Sequence, residues 1–130
     1  MRKGMRFGLA GLLAVGLLTS APAAFASGGG GGVIKTGHCS ASSTWKLKAK
    51  PDNGRIEVEF EVDTNVVGQS WNVVMKDNGT RFFKGTKVTQ APSGSFTVRR
   101  LITNMAGTDK ITGNAKNPTT GESCAGALSL

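Results

Sequence analysis

From Thr44 onward the apolar residues of this chain recur with a period of two. Trp45, Leu47 and Ala49 alternate with Lys46, Lys48 and Lys50, and Ile56, Val58, Phe60 and Val62 alternate with Glu57, Glu59 and Glu61. Successive side chains on a strand point to opposite faces, so this alternation predicts half-buried strands. Pro51-Asp52-Asn53-Gly54 lies between the two runs and brings the restricted φ, the side-chain-to-backbone bonding and the positive φ that turns use. Two registers of the hairpin are open. With Lys50 opposite Arg55, Lys48 meets Glu57 and Lys46 meets Glu59; with a tighter Asn-Gly turn, Lys50 meets Glu57 and Lys48 meets Glu59. Either register pairs opposite charges on the outer face, each pair worth roughly 0.2–1 kcal/mol. These charges read as a solvated ladder, not as a catalytic carboxylate cluster.

The pattern continues. Trp71, Val73 and Met75 lead into Asp77-Asn78-Gly79-Thr80, a hairpin turn signal, and Arg81 to Lys87 follows it. Asn78-Gly79-Thr80 also matches a glycosylation sequon, but Asn-Gly is the favoured turn dipeptide and the turn reading is taken. Ala91-Pro92-Ser93-Gly94 punctuates again before Phe96 and Val98. Strict alternation then drives Arg100 inward and Leu101 outward, which predicts a bulge near Arg99-Arg100 or a strand end that frees Arg100 to water. Asp109 to Lys116 and Glu122 to Leu130 supply the last two strands, joined by Asn117-Pro118-Thr119-Thr120-Gly121. Seven strands at short spacing, with no helical period, predict an all-β, immunoglobulin-like sandwich.

The start of the chain is different. Arg2, Lys3 and Arg6 precede an apolar stretch, Leu9 to Leu18, and Ala24-Phe25-Ala26 follows with a small-x-small pattern, as in a secretory signal peptide. The apolar stretch is roughly ten residues long, about half of what a spanning helix needs, so no permanent membrane span is expected after cleavage. The expected organisation is a signal peptide over residues 1–26, a flexible leader over 27–35 containing the run Gly28 to Gly32, and the sandwich over 36–130. The glycine run is not a phosphate loop, which needs an interspersed pattern and a following helix. The exported part is the size of one domain. Three of the 16 basic residues leave with the signal, and the rest exceed the eight acidic ones by about five. A surface of that sign favours anionic wall polymers, acidic glycans or lipid headgroups over nucleic acid, and charge of that size also serves solubility.

Cys39 and Cys124 are the two cysteines, and in an oxidising compartment an isolated pair predicts one disulfide. It would close a loop of about 85 residues, for which chain entropy gives roughly 4–5 kcal/mol. Neither a C-x-x-C spacing nor an obvious low-pKa setting suggests a reactive thiol.

Catalytic chemistry is sparse. His38 is the sole histidine and no triad partner is identifiable. One histidine and a bridged cysteine do not make a metal site, so neither metal nor cofactor is expected. An enzyme would need Asp109, Glu122 or His38 to converge in one pocket.

The aromatic residues carry the binding expectation. Trp45, Phe60, Trp71 and Phe96 fall on apolar-phase positions and are expected in the core. Phe82 and Phe83 are adjacent, so one of them must leave the core face. In the Asn78-Gly79 register Val74 lies opposite Phe83 and Met75 opposite Phe82. The candidate ligand site is therefore an outward Phe83–Val74 patch flanked by Arg81, Lys84 and Lys87.

Trp45 to Ala49, Ile56 to Asp63, Ala91 to Arg100 and Asn117 to Cys124 resemble small secreted actinobacterial proteins without an assigned function, which implies an exported sandwich. A cysteine near each end, with Val62-Asp63-Thr64-Asn65 and Gly68-Gln69-Ser70-Trp71-Asn72-Val73, is also similar to bacterial cellulose-binding modules. That resemblance implies a terminal disulfide and a buried structural role for Trp71. The row of exposed tryptophans on which such modules bind has no counterpart here.

The expected function is a non-catalytic secreted binding module, released or loosely held at the wall, whose partner is an extracellular polysaccharide or anionic wall polymer. The alternative is an inhibitor of another secreted protein, presenting Val88 to Ser95 or Asn104 to Lys110.

Overall fold

Eight strands alternate with short turns in the computed structural model, which describes residues 31–130; the expected signal segment, 1–26, lies outside them. In chain order they are β1 (Val33–His38), β2 (Thr44–Asp52), β3 (Arg55–Asp63), β4 (Ser70–Asp77), β5 (Thr80–Val88), β6 (Ser95–Thr103), β7 (Lys110–Lys116) and β8 (Ser123–Ser129). They form two four-stranded antiparallel sheets, ordered β1-β2-β3-β6 and β5-β4-β7-β8. The all-β class and the Cys39–Cys124 disulfide are as the sequence predicts.

The strand count is corrected from seven to eight. Val33 to Lys35 belong to β1, not to a flexible leader. The inward phase of β1 is Val33, Lys35 and Gly37, as its pairing with Ala49, Leu47 and Trp45 shows. One apolar residue in three leaves no alternation to read. The strand is held by its ladder to β2 and by the disulfide that follows it.

The Asn-Gly turns set their hairpins. Asn53 and Gly54 both take positive φ (51° and 81°), and the tighter of the two registers results: Lys50 faces Glu57, Lys48 faces Glu59 and Lys46 faces Glu61. Lys50 Nζ lies 3.4 Å from Glu57 Oε1, and Arg99 of β6 clasps Glu57 from the other side. The outer face of the first sheet thus neutralises itself.

Between the sheets lie Leu47, Ile56, Val58, Phe60 and Val62 of the first and Trp71, Val73, Met75 and Ile111 of the second, all fully buried. Trp71 and Phe96 meet at 6.5 Å between ring centroids. The second sheet makes room for large rings with glycine. A Cβ on Gly113 would stand 2.8 Å from the Phe60 ring, and one on Gly126 would stand 2.8 Å from the Trp45 indole. Gly113 pairs with Met75 in the middle of the sheet, so its neighbours cannot swing aside. Gly113→Ala is expected to destabilise the domain by about 1–3 kcal/mol through overpacking, measured as a lower midpoint in urea. An unchanged midpoint would show that the Phe60 ring has room to shift.

Arg100 stays in the inward phase, opposite Val58, yet is exposed. No bulge interrupts β6, contrary to that part of the expectation. The strand is the edge of its sheet, so Arg100 reaches across the open side of the sandwich and lies 4.6 Å from the Phe83 ring centroid.

One end of the sandwich gathers four connections, 39–43, 64–69, 89–94 and 117–122. Glu122 ties the first to the last: its carboxylate accepts from Ser43 N at 2.8 Å, Ser43 Oγ at 2.9 Å and Ala41 N at 3.2 Å. The disulfide sits beside this tether.

Candidate functional site

The five residues expected to form a ligand patch divide between two faces. A register shift between Met75 and Lys76 places Phe83 opposite Met75 and Lys84 opposite Val74, leaving Phe82 as the extra residue. Phe83 therefore faces inward with Met75, and both Phe82 and Phe83 pack against the core. The expectation that one of them must leave the core face is overturned, because a bulge breaks the strict alternation on which it stood. Lys87, opposite the buried Trp71, also takes the inward phase at the sheet edge. Val74, Lys84 and Arg81 remain on the outer face, without Phe83 between them. The outward Phe83–Val74 patch is not formed.

Pairing of β4 with β7, and of β7 with β8, completes the face to which those three belong. Its rows are Thr86–Asn72–Lys116–Ser123, Lys84–Val74–Asn114–Ala125 and Arg81–Lys76–Thr112–Ala127, with Lys110 opposite Ser129 beyond them. The inward alternates of the same strands, Trp71, Val73 and Met75 on β4 and Ile111 and Ala115 on β7, are buried, which fixes these rows as outward.

The face carries five cations, Lys76, Arg81, Lys84, Lys110 and Lys116, and no carboxylate. All eight acidic residues are elsewhere. Asp52, Glu57, Glu59, Glu61 and Asp63 lie along the β2–β3 hairpin. Asp77 and Asp109 are buried, and Glu122 is bound to Ser43. Uncompensated charge on one face of a sheet gives a positive field that the net charge alone does not reveal.

Across the first two rows of the face, on β4, β7 and β8, is an open hollow of about 380 Å³. Val74 and Ala125 line it, with Asn72, Asn114, Lys116 and Ser123 around them. It forms because β8 presents only Ser123, Ala125 and Ala127 there, while neighbouring strands raise longer side chains. The Thr86 hydroxyl donates to the Asn72 carboxamide oxygen at 3.1 Å, holding that side chain in place.

A second hollow, about 360 Å³, lies on the first sheet among Thr36, His38, Thr44, Lys46, Glu61 and Asp63. Its charges already answer each other, Lys46 Nζ standing 3.9 Å from Glu61 Oε1. His38 lies here, Glu122 in the tether to Ser43, and Asp109 at the opposite end of the sandwich beside Asp77. The three residues an enzyme would need do not converge. Among the described residues, no group of three or more His, Cys, Asp or Glu could hold a metal ion.

Asp77, buried beside Asp109, has a strongly perturbed carboxyl. Burial comes first in raising the Asp77 pKa from 3.8 to about 6, with the hydrogen bond and the negative charge of Asp109 adding to it. No donor elsewhere in the structure answers either Asp77 oxygen.

Half of the basic face escapes sequence reading. Arg81, Lys84 and Val74 follow from the β4–β5 hairpin, but Asn114, Lys116 and Ala125 join them only through the non-consecutive pairing of β4 with β7. The polar phase Lys110, Thr112, Asn114, Lys116 is the signal that could have found them. Comparison with known proteins returns no matching family, no characterised relative and no matching solved structure.

Proposed function

We propose that this domain is a non-catalytic secreted binding module that holds an extracellular polymer, a glycan or wall polymer, on the outer face of its second sheet. The observation that carries this reading is the segregation of charge: five cations stand on that face and every carboxylate lies elsewhere. On the first sheet lysines and glutamates are interleaved and cancel, as solubility alone would have it. The disulfide supports an oxidising compartment. Strand order supports the immunoglobulin-like reading: taking β2 as the first strand, β2-β3-β6 oppose β5-β4-β7-β8, with β1 added at an edge.

The test is depletion of the oxidised protein from solution by purified cell wall, cellulose and chitin at low and high salt. Retention on wall that falls away as salt rises is expected, since exposed charges are screened beyond roughly 10 Å at 0.1 M. Failure to bind any matrix would remove the reading.

The inhibitor reading retains one supporting observation. The 64–69 connection exposes Val66 and Val67, 49% and 55% accessible, and hydrogen bonds pin it to the 89–94 connection, Thr89 N donating to Gln69 O at 2.9 Å. On that reading, a co-secreted protease would protect the Val88 to Ser95 segment from limited proteolysis; rapid cleavage there would remove it.

A further inference from the structure

We infer that the hollow lined by Asn72, Val74, Asn114, Lys116 and Ala125 seats one sugar ring of an acidic polysaccharide, with Lys116 in the lining and Lys84 beside Val74 binding the ring's anionic substituent. The inference rests on the binding-module reading and names the ligand class of the same face.

The chemistry of the hollow is that of a sugar. A pyranose offers a small apolar C–H face and a rim of hydroxyls that both donate and accept. Val74 and Ala125 supply apolar surface on either side of Asn114, whose carboxamide can donate and accept between them, while Asn72, its oxygen held by Thr86, keeps its NH2 group to donate. Neighbouring strands lie about 4.8 Å apart and alternate residues about 6.8 Å, so a lining of three strands and two rows spans about 10 Å by about 7 Å, room for one ring with its hydroxyls. Lys116 lines the hollow itself and Lys84 stands just outside it beside Val74, two strands and one row away, about 12 Å between Cα atoms. Flexible four-carbon stems let both ammonium groups fold toward a single anion.

Charge excludes a neutral occupant as the preferred one. A neutral glycan would leave five like charges on this face unanswered, whereas an acidic chain crossing it meets Lys84 or Lys116 first and Lys76, Arg81 and Lys110 beyond. Single-stranded nucleic acid is disfavoured for another reason: its sequence-tolerant binding uses aromatic platforms for the bases, and none of the residues in these rows is aromatic. The anionic group itself is a carboxylate or a phosphate, the shared chemistry being a sugar that carries one negative charge per unit.

The experiment titrates the oxidised, isotopically labelled protein with short oligosaccharides of a uronic acid, with a sugar phosphate, and with the neutral parent sugar, following backbone amide shifts. The expected result is movement centred on Asn72, Val74, Asn114 and Ala125 with one or both acidic ligands, and at least tenfold weaker binding of the neutral one. Whichever acidic ligand moves those amides identifies the substituent. Ala125→Leu, an exposed edge-strand change that fills the hollow, is expected to lower affinity at least tenfold, and Lys84→Ala with Lys116→Ala to weaken both binding and its salt dependence. Lys48→Ala on the other sheet serves as the control and should change nothing.

Shifts centred on His38 and Glu61, equal binding of neutral and acidic sugars, or displacement by a single-stranded oligonucleotide at lower concentration would each overturn the inference. If wall polymer retains the protein but Ala125→Leu does not alter that, the hollow is refuted while the binding module stands. If no polymer retains the protein at all, the broader reading fails with it.

Discussion

Replacing Cys39 and Cys124 together by serine is expected to remove about 4–5 kcal/mol of stability, the largest single effect foreseen for this domain. The bridge closes a loop with a sequence separation of 85, and the chain-entropy model places its contribution in that range. Typical domains are stable by about 5–15 kcal/mol, so the serine variant should unfold at far lower denaturant or not fold at all. The tether beside the bridge adds to the expectation. Glu122 holds Ser43 and Ala41, and Ser40 exchanges hydrogen bonds with Ser123 at 2.8 and 2.9 Å, so the same two chain ends are joined by several polar contacts. Those contacts form only once the ends have met, which the disulfide ensures in the unfolded chain as well. Equilibrium urea unfolding of the oxidised protein and the serine variant measures the difference. A loss under 1 kcal/mol would mean that the polar tether and the ladder from β1 to β2 suffice without the bridge.

The second large effect has the opposite sign. Asp77→Asn is expected to stabilise the domain at neutral pH, by an amount on the order of 3 kcal/mol relative to its effect at pH 4. The folded state raises the Asp77 pKa from 3.8 to about 6, so it binds a proton more tightly than the unfolded chain does. A raised value means that the associated stability is fully present below about pH 4 and is lost as pH climbs through about 6. Above that, two carboxylates are forced together in a buried place, repelling each other and short of donors. An asparagine keeps the volume, carries no charge and can donate to Asp109. Parent and variant compared by urea unfolding from pH 4 to pH 8 should diverge between pH 4 and 6, with the gap level above pH 7. A difference that is flat across this range would show that Asp77 does not carry the proton. Asp109 also exchanges backbone hydrogen bonds with Leu130 and accepts from Met105 N, anchoring the 104–109 connection and the end of the last strand.

Local chemistry was legible in the chain wherever it was periodic or punctuated. The charge ladder of the β2–β3 hairpin, its Asn-Gly turn, the second Asn-Gly turn and the core positions of Phe60, Trp71 and Phe96 all follow from alternation and turn residues. Trp45 is a partial case: its phase is inward, but it is half-buried, its ring covering Gly37 and Gly126 at the seam between the sheets. Strand β1 was invisible because only Val33 of its inward residues is apolar, and its pairing with β2 is carried by backbone bonds common to every sequence.

The sequence by itself determined the class of the fold, seven of the eight strands among the described residues, their hairpin turns and the cysteine pairing, since each depends on residues whose signals are local or few. Only the tertiary structure decided which side chains share a surface. One extra residue at Phe82 turned Phe83 inward and dissolved the expected patch, because a shift of one position moves a side chain to the other face of a sheet. The β4–β7 pairing then brought Asn114, Lys116 and Ala125 beside Val74 and Lys84, a juxtaposition across some forty residues of chain that no local pattern encodes.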